Sequence, residues 1–175
     1  MLKSKNLTLL LLVIFTCLGC SIKTHKSYEF TEPEMHLNTG VIHAKLRGTM
    51  ENIDNKNSIY HAPYEMLLWF SSSTEQGSSC LVNVNSIALK NLETEEMLLI
   101  SENSETTFRE RSDGVYTASF NYKNLNIKHN DHELAFSYSF SKDCGLDQTS
   151  TPVSMVFKKQ YRERNISFWD MLMGI

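Results

Sequence analysis

From Val41 onward apolar and polar residues alternate with a period of two, the spacing of strands buried on one face. Leu134, Phe136, Tyr138 and Phe140 alternate with Ala135, Ser137, Ser139 and Ser141. Tyr116, Ala118, Phe120 and Tyr122 alternate with Thr117, Ser119 and Asn121, and Val153, Met155 and Phe157 repeat the pattern near the end. Residues 64–70 (YEMLLWF) are nearly continuous in apolar content, which predicts a central strand covered on both faces. Residues 81–89 change phase: Val82 and Val84 share one face, whereas Ile87 and Leu89 fall on the other. Either a bulge near Asn85-Ser86 returns both pairs to the core, or the strand crosses between sheets.

Ser112-Asp113-Gly114 lies between two alternating runs, and Asp-Gly tolerates the positive φ values of tight hairpins. Residues 71–79 (SSSTEQGSS) and 129–132 (HNDH) read as polar loops. About eight short strands with regular turn signals predict an all-β fold, an antiparallel β-sandwich of immunoglobulin-like architecture over residues 39–160. The pattern breaks at residues 161–175. A basic run, KKQYRER, gives way to FWDMLMGI, and Ser167 is placed to cap a short C-terminal helix. Phe168, Trp169, Met171 and Leu172 are too apolar to be left exposed without reason. Three roles fit them: packing over an open end of the domain, docking on a partner protein, or lying on a membrane beside the basic run.

The other end is organised differently. Lys3 and Lys5 precede residues 7–15 (LTLLLLVIF), an uncharged run well short of the roughly 20 apolar residues a spanning helix needs. A basic start, a short apolar run and small residues after it read as a secretory signal. The sequence then runs Thr16-Cys17-Leu18-Gly19-Cys20-Ser21. This resembles the cleavage box of bacterial lipoproteins, with Gly19 as the small residue before the cut and Cys20 as the acceptor. Cys17 departs from that pattern, which usually has an aliphatic residue there. The resemblance covers about the first 21 residues only. It implies a signal peptide over 1–19, a diacylglycerol thioether and an acylated amine (palmitate among the acyl groups) on Cys20, and a tether over 20–38. Ser21 after the cysteine favours the outer membrane in that family, so the expected place is the outer membrane of a Gram-negative bacterium, facing the periplasm. Several acyl chains anchor stably, at about 0.8 kcal/mol for each buried methylene. An ordinary cleaved signal and an uncleaved anchor are the other readings of this run.

Composition sharpens this picture in two places. The formal net charge is −3, and loss of Lys3 and Lys5 with the signal takes it to about −5, which argues against a nucleic-acid partner. Of four cysteines, removal of Cys17 and lipidation of Cys20 leave Cys80 and Cys144 as a pair in an oxidising compartment, so a disulfide between them is expected.

Candidate chemistry is sparse. His129, Asp131 and His132 form a weak metal-like cluster, because neighbours in one loop rarely supply converging ligands. Glu93, Glu95 and Glu96 offer carboxylates but sit at a strand edge expected in water. The sequence has no GxSxG elbow, HExxH, phosphate-binding glycine loop or GxGxxG, so neither a catalytic site nor a cofactor is expected. The functional expectation is a lipid-anchored envelope protein acting as a binding or assembly module with an envelope protein partner. The alternatives are an envelope enzyme or inhibitor with an unfamiliar site, and a structural envelope component.

Overall fold

The structure is a computed structural model that describes residues 23–38, 40–52, 58–72, 80–144 and 150–166. The chain divides into two compact units, one made of residues 28–49 and 60–160 and the other of 1–27, 50–59 and 161–175. The described residues form eleven strands: β1 (Lys23–Phe30), β2 (Glu34–Leu37), β3 (Gly40–Asn52), β4 (Ser58–Ser72), β5 (Leu81–Asn91), β6 (Met97–Thr107), β7 (Arg109–Glu110), β8 (Tyr116–Leu125), β9 (His132–Phe140), β10 (Thr151–Phe157) and β11 (Lys159–Ile166). They make a four-stranded sheet ordered β10-β9-β5-β6, a five-stranded sheet ordered β2-β3-β4-β8-β7, and a two-stranded sheet of β1 and β11. The all-β expectation holds, and the registered pairs are antiparallel.

The period of two becomes burial directly. Val82, Val84, Ile87 and Leu89 of β5, Leu134, Phe136 and Tyr138 of β9, and Val153, Met155 and Phe157 of β10 are all buried. They share one core with Ile42, Ala44 and Leu46 of β3, Tyr64, Met66, Leu68 and Phe70 of β4, and Ala118 and Phe120 of β8. Phe70 shows the contact most clearly. Its ring centroid lies 6.2 Å from Phe120 in its own sheet, and 5.2 Å from Tyr138 and 6.1 Å from Phe140 in the four-stranded one.

The phase change in β5 is a bulge. Against β9 the register slips by one residue between Val84 and Ser86, so Asn85 is the extra residue and all four aliphatic side chains return to the core. Asn85 is held on the far side, accepting from Ser139 Oγ at 3.4 Å and donating to Ser150 Oγ at 3.1 Å. The predicted hairpin is present too. Arg111 N–H donates to Val115 O at 2.9 Å, Gly114 N–H donates to Arg111 O at 3.0 Å, and Gly114 takes φ of 79°. A three-residue loop closed by a left-handed glycine matches the twist of the flanking strands.

Three expectations meet a different structure. Strands β1 and β2 occupy residues 23–30 and 34–37, within the stretch expected as a tether. Chain flanked by polar residues still pairs when a neighbour offers open backbone groups, as Thr31 N–H donating to Lys158 O at 2.9 Å illustrates. The basic run of residues 158–164 falls mostly in β11. Among the described residues the only helical element is the 3-10 turn Lys142–Cys144, and the helix expected after Ser167 lies outside them. Finally, β4 is central in its sheet yet covered on one face only. Tyr64, Met66, Leu68 and Phe70 are buried, whereas Glu65, Leu67 and Trp69 on the other face are partly open. Its continuous apolar run therefore marks a strand with an apolar patch on its outer face.

Candidate functional site

Of the residues singled out in the sequence, Cys20, Phe168, Trp169, Met171 and Leu172 lie outside the described residues. Cys80 and Cys144 are joined in a disulfide with Cα atoms 4.6 Å apart. Cys80 is buried just before β5, and Cys144 ends the 3-10 turn that follows β9, its neighbouring strand. Antiparallel pairing thus brings the two cysteines to one end, where Leu81 N–H donates to Ser141 Oγ at 3.0 Å.

His129, Asp131 and His132 do not converge. His132 is fully buried, and its Nε2–H donates to Lys128 O at 2.9 Å. His129 bonds through Nε2 to Glu29 O at 3.1 Å, while Asp131 Oδ1 accepts from Lys159 N–H at 2.8 Å. Both imidazoles lie against Phe30, with ring centroids 5.4 and 5.5 Å away. The cluster is a polar plug that ties β1, β9 and β11 together. Among the described residues no group of three or more His, Cys, Asp or Glu side chains is placed to hold a metal ion. The acidic turn is likewise occupied: Lys159 Nζ contacts Glu93 at 2.8 Å, and Lys90 Nζ contacts Glu95 at 2.6 Å.

Burial holds the His132 imidazole below the usual histidine pKa, and its Nδ1 has no hydrogen-bond partner. The unfolded chain binds this proton more readily than the fold does. Stability is therefore complete above the ordinary histidine range, near pH 6.5, and declines as pH falls below it. Urea melts at pH 7.5 and 5.5 will show a lower midpoint in acid, and His132→Asn will reduce that difference.

The tertiary structure assembles a different site on the outer face of the five-stranded sheet. Glu34 of β2 and His43 of β3 are directly opposed in the strand register. Trp69 of β4 stacks on the His43 imidazole, with centroids 4.9 Å apart and an interplanar angle of 14°. Ser71, two residues along β4 on the same face, has its Oγ 3.3 Å from His43 Nε2 and 3.1 Å from Val41 O. His43 Nδ1 lies 3.5 Å from Glu34 Oε2, and His36 Nε2 lies 3.5 Å from the other carboxylate oxygen. Beyond Trp69 the face continues as a shallow groove of about 340 Å³ lined by Lys45, Leu67, Trp69, Arg111, Thr117 and Ser119. Lys45 reaches Glu32, and Arg111 reaches Asp113 at 3.2 Å. These cations sit on exposed pairs that hold together weakly in water, so both can turn to a ligand.

A second, smaller cleft of about 250 Å³ lies among Arg47, Thr49, Pro63, Tyr64, Glu65 and Asn124. Its floor is structural: a Cβ at Gly48 would stand 2.6 Å from the Tyr64 ring, so only glycine lets the ring lie there. Burial pushes the Tyr64 phenol up to about 12, which keeps it neutral at any physiological pH.

Sequence reasoning missed the Glu34–His43–Ser71 face because its members come from three strands. The signal that pointed to it was the apolar excess of YEMLLWF, read there as burial on both faces.

No family model matches the chain, and no curated protein matches it. Among solved structures, the copper-reconstituted P19 protein from Campylobacter jejuni is similar at 11% identity, with 77% of this chain and 95% of that one covered and a TM-score of 0.38. The structural genomics target SoR45 is similar at 5% identity over 81% of this chain and 85% of that one, with a TM-score of 0.25. Likenesses this distant carry no assignment of family or function.

Proposed function

We propose that the chain is an outer-membrane lipoprotein, anchored through acyl groups on Cys20, that presents a β-sandwich of immunoglobulin-like architecture to the periplasm as a binding module for an envelope protein. The sandwich reading is supported by one apolar core shared by the four- and five-stranded sheets. The anchor rests on the LGC box and the short apolar run before it.

The observation that carries the binding role is the outer face of β4. Leu67 and Trp69 are partly open there, between Lys45 and Arg111. Tryptophan and arginine at the centre of a shallow apolar face are the residue types that dominate protein interfaces. The outer face of the four-stranded sheet has a groove of similar size, lined by Ser86, Ala88, Ala135, Ser137 and the exposed Ile100, but it brings no tryptophan or arginine to that groove.

A photo-crosslinking residue in place of Trp69, expressed in the native envelope, will capture a specific partner. The same residue in place of Ala135 will not. Equal capture at both positions, or none at Trp69, would count against this face. Mass spectrometry of the mature N-terminus tests the anchor separately, and an unmodified Cys20 would remove it.

A further inference from the structure

We infer that Ser71, His43 and Glu34 form a nucleophile, base and orienting acid able to transfer the acyl group of a carboxylic ester to Ser71. This goes beyond the binding role and depends on neither the partner nor the anchor.

The connectivity is what acyl transfer requires. The Glu34 carboxylate faces Nδ1 of His43 at 3.5 Å, and a carboxylate only accepts. It therefore favours the tautomer with the proton on Nδ1, which leaves the Nε2 lone pair toward the Ser71 hydroxyl at 3.3 Å. The acid addresses one ring nitrogen and the nucleophile the other, as an orienter, base and nucleophile in series must. Trp69 stacked on the imidazole holds the ring plane, while direct opposition of Glu34 and His43 fixes the carboxylate beside it. Strands β2, β3 and β4 carry the three side chains. Distances in unliganded sites are commonly looser than in the reacting complex.

The Ser71 hydroxyl has one hydrogen and two acceptors, His43 Nε2 and Val41 O at 3.1 Å. Turned to Val41 it is inert. Turned to His43 it is poised, and a single χ rotation of the hydroxyl separates the two states. The groove on the far side of Trp69 offers Leu67 to an apolar substituent, and Lys45 and Arg111 to an anionic one.

In the step itself, Ser71 Oγ attacks the ester carbonyl carbon while its proton passes to His43 Nε2. The tetrahedral species collapses, the carbon–oxygen bond to the alcohol breaks, and the leaving alkoxide takes the proton from Nε2. Water then attacks the Ser71 ester, giving one proton to Nε2, and His43 returns that proton to Ser71 Oγ as the acid leaves. One ester and one water become one acid and one alcohol. Glu34 is a positioning residue and touches no reacting atom.

A fluorophosphonate probe tests the site on the purified full chain. Ser71 Oγ displaces fluoride from phosphorus, its proton leaving through His43, so peptide mass spectrometry of the unmutated protein will place the adduct on Ser71. Urea-unfolded protein will give none. His43→Gln will slow labelling by about a hundredfold or more, the scale of a lost general base. Glu34→Gln will slow it with unchanged melting temperature, and Glu34→Asp will recover part of the rate, which a merely structural carboxylate would not do. An adduct elsewhere, no adduct on folded protein, or a rate indifferent to His43→Gln would overturn the inference.

Discussion

Replacing Cys80 and Cys144 together by serine will lower the unfolding free energy by about 4 kcal/mol, the chain-entropy value for a loop of about 65 residues. The whole stability of a domain this size is about 5–15 kcal/mol, so a loss on that scale leaves a marginal fold. Position adds to the effect. Cys80 is buried where β5 begins, at the same end of the sheet at which β9 finishes, and its hydroxyl replacement would enter an apolar site. Urea melts of the unmutated protein with and without reductant, beside the double serine variant, make the measurement. Near-coincidence of all three curves would show that the bridge constrains little.

Phe70→Ala will cost about 3–5 kcal/mol, the range for deleting a buried aromatic ring. Phe70 is 2% exposed and packs on Phe120, Tyr138 and Phe140, which belong to both large sheets. Backbone pairing fixes the spacing within each sheet, so neither can close easily over the void, and the lost contacts are not regained. Ser119→Ala, at an exposed position on the neighbouring strand β8, should stay within about 0.5 kcal/mol. Chemical denaturation of the two variants compares them. A Phe70→Ala cost near that of Ser119→Ala would mean the sheets do not share a core at this ring, and the sandwich reading would fail with it.

Much of the inward-facing set was legible because strand periodicity is local. A residue in a strand points to the opposite side from its neighbour, so the positions of Leu134, Phe136 and Tyr138 state which face is buried without reference to any other strand. The phase change at Asn85 was legible for the same reason, with a bulge or a crossing between sheets as its two outcomes, and the pairing with β9 shows the bulge. The β4 run misled because apolar content measures affinity for a covered place, and Leu67 and Trp69 have that affinity on a face left partly open. The histidine loop misled in the other direction. His132 looked like a solvated turn residue, yet it opens β9 and is buried against Phe30, 102 positions earlier in the chain.

By itself, then, the sequence determined the strand character from Val41 onward, the inward residues of β8, β9 and β10 and the Asp-Gly hairpin, and it led to the expectation of the Cys80–Cys144 bridge that the structure contains. The strands and the hairpin follow from local period and turn chemistry. Only the tertiary structure decided that β5 lies between β9 and β6, and that β4 lies between β3 and β8. It alone brought Glu34, His43, Trp69 and Ser71 onto one face. A period of two fixes which side a residue faces, but not which strand lies beside it. Those neighbours are chosen by burial and pairing over the whole core, and the outer-face site exists only as a consequence of that choice.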